Sequence, residues 1–191
     1  MDNARGVSFS DNDISTVIEA AVGVAERKDG AKKGKDPALT EFIRQFYRGS
    51  PPEDLRARTP EALYAAAAAA WEFLQTRTPG KPKIRIGDWP DRERTVILIA
   101  NDDMPFLVDS VSCELDRMEA SAQLVIHPIL TVRRDGDGRL IELCVDTADA
   151  GIPGDARAES LMHVEIPHHG NPEDLERLSD NILSVLGDVR L

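Results

Sequence analysis

Residues 95–118 read TVILIANDDMPFLVDSVSCELDRM, and this stretch decides the fold. Six residues, 95–100, form an apolar run too short for a buried helix and rich in the β-branched side chains that suit a strand. After the polar break at Asn101-Asp102-Asp103, Pro105 sits near a helix start, and Val108, Val111, Leu115 and Met118 recur at spacings of three, four and three. The unit is therefore strand, loop, helix. Its acidic loop has two readings. Asp102, Asp103 and Asp109 can cap the helix, because a carboxylate accepts the free N–H groups of a first turn and interacts well with its positive end. They can also line a ligand site.

Downstream, residues 124–132 are apolar on both faces in their first half, as a covered strand requires. The two Asp-Gly pairs in residues 135–138 supply the positive φ of a tight hairpin, and residues 139–145 return as a strand. Residues 161–166 alternate, with Met162, Val164 and Ile166 on one face. Asn171 and Pro172 then open a last helix with Leu175, Leu178, Ile182, Val185 and Val189 on its apolar stripe. A ferredoxin-like sheet also needs a strand after that helix, and none remains in this sequence. Residues 83–86 precede the first strand by a short turn and can fill the vacant position. The expected sheet runs 83–86, then 94–100, then a returning strand built from 139–145 and 161–166, then 123–133. It is antiparallel throughout, with helices 105–119 and 172–188 on one face.

Upstream the period is helical. Ile14, Val17, Ile18, Ala21 and Val22 mark a helix over about 13–27, and the Gly-Lys stretch to Lys35 reads as a solvated linker. Asp36-Pro37 and Thr59-Pro60 are two start signals of one kind, a polar cap followed by a proline whose missing N–H costs nothing at the first helical position. Leu39, Phe42, Ile43 and Phe46 follow the first; Leu63, Ala66, Ala67, Ala70 and Leu74 follow the second. The six alanines at 65–70 favour helix and permit close backbone approach. These helices are expected around the periphery of the sheet. The expected division is a helix and linker over 1–35, a helical lead-in over 36–78 and the sheet domain over 79–191, an α+β chain.

Composition excludes several classes of function. The formal charge of −11 lies entirely in residues 36–191, where 17 basic groups face 28 acidic ones, so the surface repels phosphate backbones and no nucleic acid is expected. No apolar run approaches a membrane span, and residues 1–13 lack the apolar core of a secretory signal, so the expected place is the cytoplasm without membrane contact. Cys113 and Cys144 lack CxxC spacing and read as buried free thiols. His127, His163, His168 and His169 show no HExxH or other zinc pattern, Asp102, Asp103 and Asp109 do not match a calcium loop, and no Gly-rich phosphate loop or nucleophile elbow occurs. A small metal-dependent enzyme built on Asp102, Asp103, His163 and His168 is the one catalytic possibility these residues leave, with no metal ligand set to support it.

Four segments, read together, point to a family. Tyr64 in TPEALY, the block NDDMPFLVDSV at 101–111, IHPILTVRR at 126–134 and ESLMHVEI at 159–166 resemble the N-terminal region of the large bacterial NAD-specific glutamate dehydrogenases, from about Pro37 to Arg190. The resemblance implies a first ACT-like module in a much longer enzyme that oxidises L-glutamate to 2-oxoglutarate and ammonia. NAD would be held elsewhere in that enzyme, with no cofactor and no catalytic residue in this segment. It implies as partners the catalytic and other ACT-like domains of the same enzyme, a homo-oligomer, and an amino-acid effector. The effector would sit at the strand-to-helix loop formed by Asn101, Asp102, Asp103, Met104, Pro105, Phe106 and Asp109. Asp103-Met104-Pro105 fits the Asp-x-Pro turn of ACT modules, whereas Phe106 stands where many have Gly, and its side chain is expected to fill the pocket.

Overall fold

Four helices precede the first strand in the computed structural model, which describes residues 11–30, 36–88, 93–145 and 154–188. They are α1 (Asp11–Gly30), α2 (Pro37–Tyr47), α3 (Pro52–Arg56) and α4 (Pro60–Leu74). Both start signals act as their chemistry dictates. Asp36 Oδ1 accepts from the Ala38 and Leu39 N–H groups at 3.0 and 3.2 Å, and Thr59 Oγ1 accepts from Ala62 N at 3.2 Å. On α4 the buried Ala66, Ala67 and Ala70 let α1 and α2 pack closely, and the Tyr47 hydroxyl donates to the Leu63 carbonyl at 2.7 Å. Residues 31–35 of the expected linker, the turn at 89–92, the excursion at 146–153 and Val189 lie outside the described residues.

Six strands follow: β1 (Lys83–Asp88), β2 (Arg94–Asp102), β3 (Leu124–Ile126), β4 (Ile129–Arg134), β5 (Leu140–Leu143) and β6 (Arg157–Pro167). The sheet order is β1-β2-β6-β4-β5, antiparallel throughout, with β3 also on β6. The substitute strand pairs as expected, Lys83 opposite Ala100 and Ile86 opposite Ile97.

Two expectations about the sheet fail. Residues 139–145 do not share the returning strand with 161–166; β5 folds back on β4 at the outer edge, while β6 alone runs between β2 and β4. The tight hairpin explains this, because its short turn leaves β5 no reach beyond the strand it leaves. The run 123–133 is also two strands. Pro128 has no N–H for the ladder, so pairing breaks at His127-Pro128 and resumes at Ile129, the Pro128 carbonyl still accepting from Leu161 N at 3.1 Å.

The helical lead-in is not peripheral. Strand alternation sorts β2 and β6 into two cores. On one side Val96, Leu98, Ala100 and Leu161 pack with Phe42, Ile43, Phe46, Leu63 and Leu74 of the lead-in. On the other, Ile97, Ile99, Met162, Val164 and Ile166 pack with Leu107, Val111 and Leu115 of α5 (Leu107–Arg117) and Leu178, Ile182 and Leu186 of α6 (Pro172–Asp188). A strand apolar on both faces needs a layer on each, and the four N-terminal helices supply the second.

The chain leaving α4 crosses to the β4–β5 hairpin. Arg77 N donates to the Gly138 carbonyl and Leu140 N to the Gln75 carbonyl, both at 2.9 Å. Gly138 has φ 81°, and a Cβ there would lie 2.2 Å from the Arg77 carbonyl oxygen, so both conformation and space require glycine. Gly80, at φ 73°, faces open space. We expect Gly138→Ala to cost more than ~2 kcal/mol and Gly80→Ala only the ~1 kcal/mol of a left-handed alanine, measured by urea unfolding.

Candidate functional site: the strand-to-helix loop and its ion pairs

The loop from β2 to α5 is held from behind by charge. Asp102, the last residue of β2, pairs with Arg77, whose guanidinium also meets Glu159 Oε1 of β6 at 2.7 Å. Arg134 of β4 grips the same Glu159 in a two-point fork, Nε to Oε1 and Nη2 to Oε2, each at 2.8 Å. The remaining donors reach carbonyls: Arg77 Nη1 bonds Lys81 O at 2.9 Å, and Arg134 bonds Leu74 O and Gly138 O at 3.0 Å. Arg77, Arg134 and Glu159 are almost fully buried. Burial pushes the Glu159 carboxyl up, but the two guanidiniums outweigh it and hold the group below its ordinary range. Only Arg77 Nε in this cluster has no partner.

The loop residues scatter around that anchor. Asn101 is buried at the end of β2, and Asp103 is exposed, its backbone N–H donating to Ala158 O at 3.2 Å. Met104 packs against the α5–α6 core, Pro105 is exposed, and Asp109 is exposed in the first turn of α5. The capping expectation fails for Asp102 and Asp103: Phe106 occupies the cap position and no side chain caps the helix, because Asp102 is drawn to Arg77 instead. Asp109 keeps its favourable place near the positive helix end. Phe106 fills no pocket either. It has a left-handed φ of 66° and is 73% exposed.

Beside the loop lies an open cleft of about 640 Å³ between the end of β6 and the α4–β1 connection, bordered by Asp102, Asp103, Arg157 and the buried ion cluster. Of the seven predicted loop residues, the structure brings only Asp102 and Asp103 to this cleft.

A second buried carboxylate works at the other end of β6. Glu165 receives both Nη atoms of Arg58 at 2.7 and 2.8 Å, Arg94 at 2.9 Å and His163 Nε2 at 3.1 Å. Burial again raises the carboxyl, and the bonds from His163 and Arg58 overcome it, bringing Glu165 down to about 2. The Phe46 ring stands edge-on to His163 at 5.9 Å.

The other titratable groups are dispersed. His163 is fully buried, and His168 meets Asp88 at 3.3 Å, at the opposite end of β2 from Asp102, so the residues of the metal-enzyme possibility do not converge. Among the described residues no group of three or more His, Cys, Asp or Glu is placed to hold a metal. His127 Nε2 bonds Ser160 Oγ at 2.6 Å, and burial pushes this imidazole down, partly countered by Asp103. Cys144 is buried as expected; Cys113 is exposed, on the outer side of α5.

Residues 42–182, spanning both anchors and running from within α2 to within α6, match the family described as glutamate dehydrogenase, ACT1 domain. The chain belongs to this family. Among curated relatives, it is 36% identical over 165 residues to the NAD-specific glutamate dehydrogenase of Halomonas elongata, covering 83% of this chain and 10% of that protein. It is 33% identical over 163 residues to the NAD-specific glutamate dehydrogenase of Pseudomonas aeruginosa, covering 81% and 10%. The ACT1 chain thus spans about a tenth of the length of these relatives. No solved structure matches it.

In this ACT1 domain the ESLMHVEI segment contributes anchors. Glu159, His163 and Glu165 share the face of β6 turned to the helical lead-in, and four arginines from separate segments, Arg58, Arg77, Arg94 and Arg134, reach them. Sequence reasoning missed these arginines. The available signal was charge at alternate positions of an otherwise apolar strand, since a buried charge demands a partner.

The Glu165 cluster makes a signed prediction. A carboxyl depressed on folding contributes stability above its unfolded value near 4.5, lost as pH falls through the folded value near 2. Between about pH 5 and 2 the wild type should lose on the order of 3 kcal/mol through this group. Glu165→Gln, weaker at pH 7, should show a correspondingly flatter acid limb in urea titrations.

Proposed function

We propose that this ACT1 domain is a non-catalytic assembly and regulatory module of a longer NAD-specific glutamate dehydrogenase, which oxidises L-glutamate with NAD to 2-oxoglutarate and ammonia. The observation that carries this reading is the use of its buried charge. Glu159 and Glu165 are each held on both oxygens by the arginines around them and bind the helical lead-in to the sheet, leaving no poised acid or base among them. Such a body is suited to transmit position rather than chemistry. In this reading residues 36–78 and 79–191 act together and residues 1–35 form a lead segment. The partners are the catalytic and other ACT-like domains of the same polypeptide, in a homo-oligomer in the cytoplasm. No helix among the described residues is long and apolar enough to cross a membrane.

The cleft favours a second reading, amino-acid sensing. It holds the exposed carboxylate of Asp103 and the exposed guanidinium of Arg157, groups of opposite sign that suit an ammonium and a carboxylate. Asp102 ties its wall to Arg77 and hence to the helical lead-in, a physical connection through which a ligand with unequal affinity for two states could act.

The test compares the longer enzyme with a version lacking residues 1–191. Assembly, measured by light scattering, or the response of NAD reduction to added amino acids should change, and the separate chain should reduce no NAD with glutamate. An unchanged enzyme, or turnover by the separate chain, contradicts the proposal. Direct calorimetry of amino acids against the chain decides between its two readings: heat lost on Asp103→Asn or Arg157→Gln supports sensing.

A further inference from the structure

A cavity of about 360 Å³ lies between the end of α5 and one face of α6. Asp174, Arg177, Leu178 and Asn181 share that face, because residues three and four apart on a helix are neighbours. The opposite wall is the turn that leaves α5, and Asn181 Nδ2 reaches across to Met118 Sδ at 3.3 Å. His169, just past β6, borders the cavity, so the eleven residues of that strand, roughly 30 Å, separate it from the cleft at Asp103 and Arg157. It is a different site.

The turn is built in a way that asks for glycine. Glu119 N donates to the Asp116 carbonyl at 3.1 Å and Ala120 N to the Leu115 carbonyl at 2.9 Å, the pair of bonds that ends a helix through a left-handed residue. Glycine takes that position most readily, yet Glu119 holds it at φ 57°. Its carboxylate is exposed on the cavity wall and joins no ion pair among the described residues.

Cations stand in the same cavity. Arg117 forks Glu114 through Nε and Nη2 at 2.8 and 2.7 Å, which leaves Nη1 over. Arg177 is held only loosely, 3.5 Å from Asp174. A lone anion would meet Glu119 and Asp174, and a lone cation would meet two guanidiniums. A molecule bearing both signs finds an opposite for each. Leu178 and Ala120, both buried, give the lining an apolar floor. The volume stands at the small end of ligand pockets, which run from about 300 to 1,000 Å³.

We propose that this cavity takes a small zwitterion, an aliphatic α-amino acid, with its ammonium on Glu119 and its carboxylate on Arg177 and Arg117 Nη1. The negative end of α5 adds to the attraction for the ammonium. Bound there, the ligand bridges α5 to α6, and the contact offsets the strain of the left-handed Glu119. The inference does not depend on the cleft.

Calorimetry of L-leucine against this chain reads the site, with the deaminated and the decarboxylated analogues of leucine as controls that carry one sign each. Leucine should give saturable heat, and each analogue should bind at least about tenfold more weakly. Glu119→Gln and Arg177→Gln should each weaken leucine to the same extent, and Asp103→Asn should not. No saturable heat at millimolar leucine, an analogue that binds equally well, or heat lost on Asp103→Asn and kept on Glu119→Gln overturns the proposal. Glu119→Gly separates binding from folding. Relief of the left-handed strain should raise the Tm of the ligand-free chain while the heat of leucine disappears; a stabilised variant that still binds leucine contradicts the site. If leucine gives no heat while removal of residues 1–191 alters assembly of the longer enzyme, this inference alone fails. If neither is seen, the module reading fails with it.

Discussion

A single buried carboxylate, Glu159, holds two buried guanidiniums, and four separate pieces of chain meet because of it. Arg77 brings the exit of α4, Arg134 brings β4 and the hairpin turn, Glu159 itself is β6, and Asp102 adds the end of β2. Taking these charges out of water costs several kcal/mol each, so the cluster is tolerated only because the carboxylate is forked and nearly every donor is used. Its energetic value over an apolar replacement is small; its geometric value is large. A buried charge has one acceptable position, and this one fixes where the helical lead-in sits on the sheet. Glu165 with Arg58, Arg94 and His163 repeats the arrangement six residues along the same strand face, so the lead-in is pinned at two points.

Local chemistry was legible in the sequence. Asp36-Pro37 and Thr59-Pro60 start helices because their side chains cap wherever the rest of the fold lies, and residues 83–86 pair with β2 because a short turn allows little else. Non-local choices were not legible. The apolar run 95–100 announces two covered faces, but not that α1 to α4 provide the second cover; that depends on charge pairs, Arg77–Glu159 and Arg58–Glu165, whose members stand 82 and 107 residues apart in sequence. The partition of residues 123–145 into β3, β4 and β5 turned on one missing N–H at Pro128 and on the reach of a tight hairpin. Asp102 was misread as a cap because its actual partner, Arg77, occupies an irregular connection without periodicity.

For the candidate site the lesson has the same form. The NDDMPFLVDSV block was recognisable, yet its residues do four different things: Asn101 ends a strand in the core, Asp102 joins the ion cluster, Asp103 borders the cleft and Phe106 is strained into solvent. Position relative to the buried cluster decides each role. Strand β2 stops at the residue tied to Arg77, and whatever follows must turn away at once to reach the other face of the sheet, which places the loop beside the cleft.

The central claim is that the helical lead-in and the sheet are one mechanical body because the ion cluster joins them. A double-mutant cycle with Arg77→Met and Glu159→Gln in a Trp89→Phe background, read by urea unfolding with Trp71 fluorescence for the lead-in and far-ultraviolet circular dichroism for the whole chain, measures the joint directly. We predict a coupling of at least ~1.5 kcal/mol and coincident transitions from both probes in the wild type. A coupling within ~0.5 kcal/mol of zero, with the lead-in melting ahead of the sheet, would contradict the account.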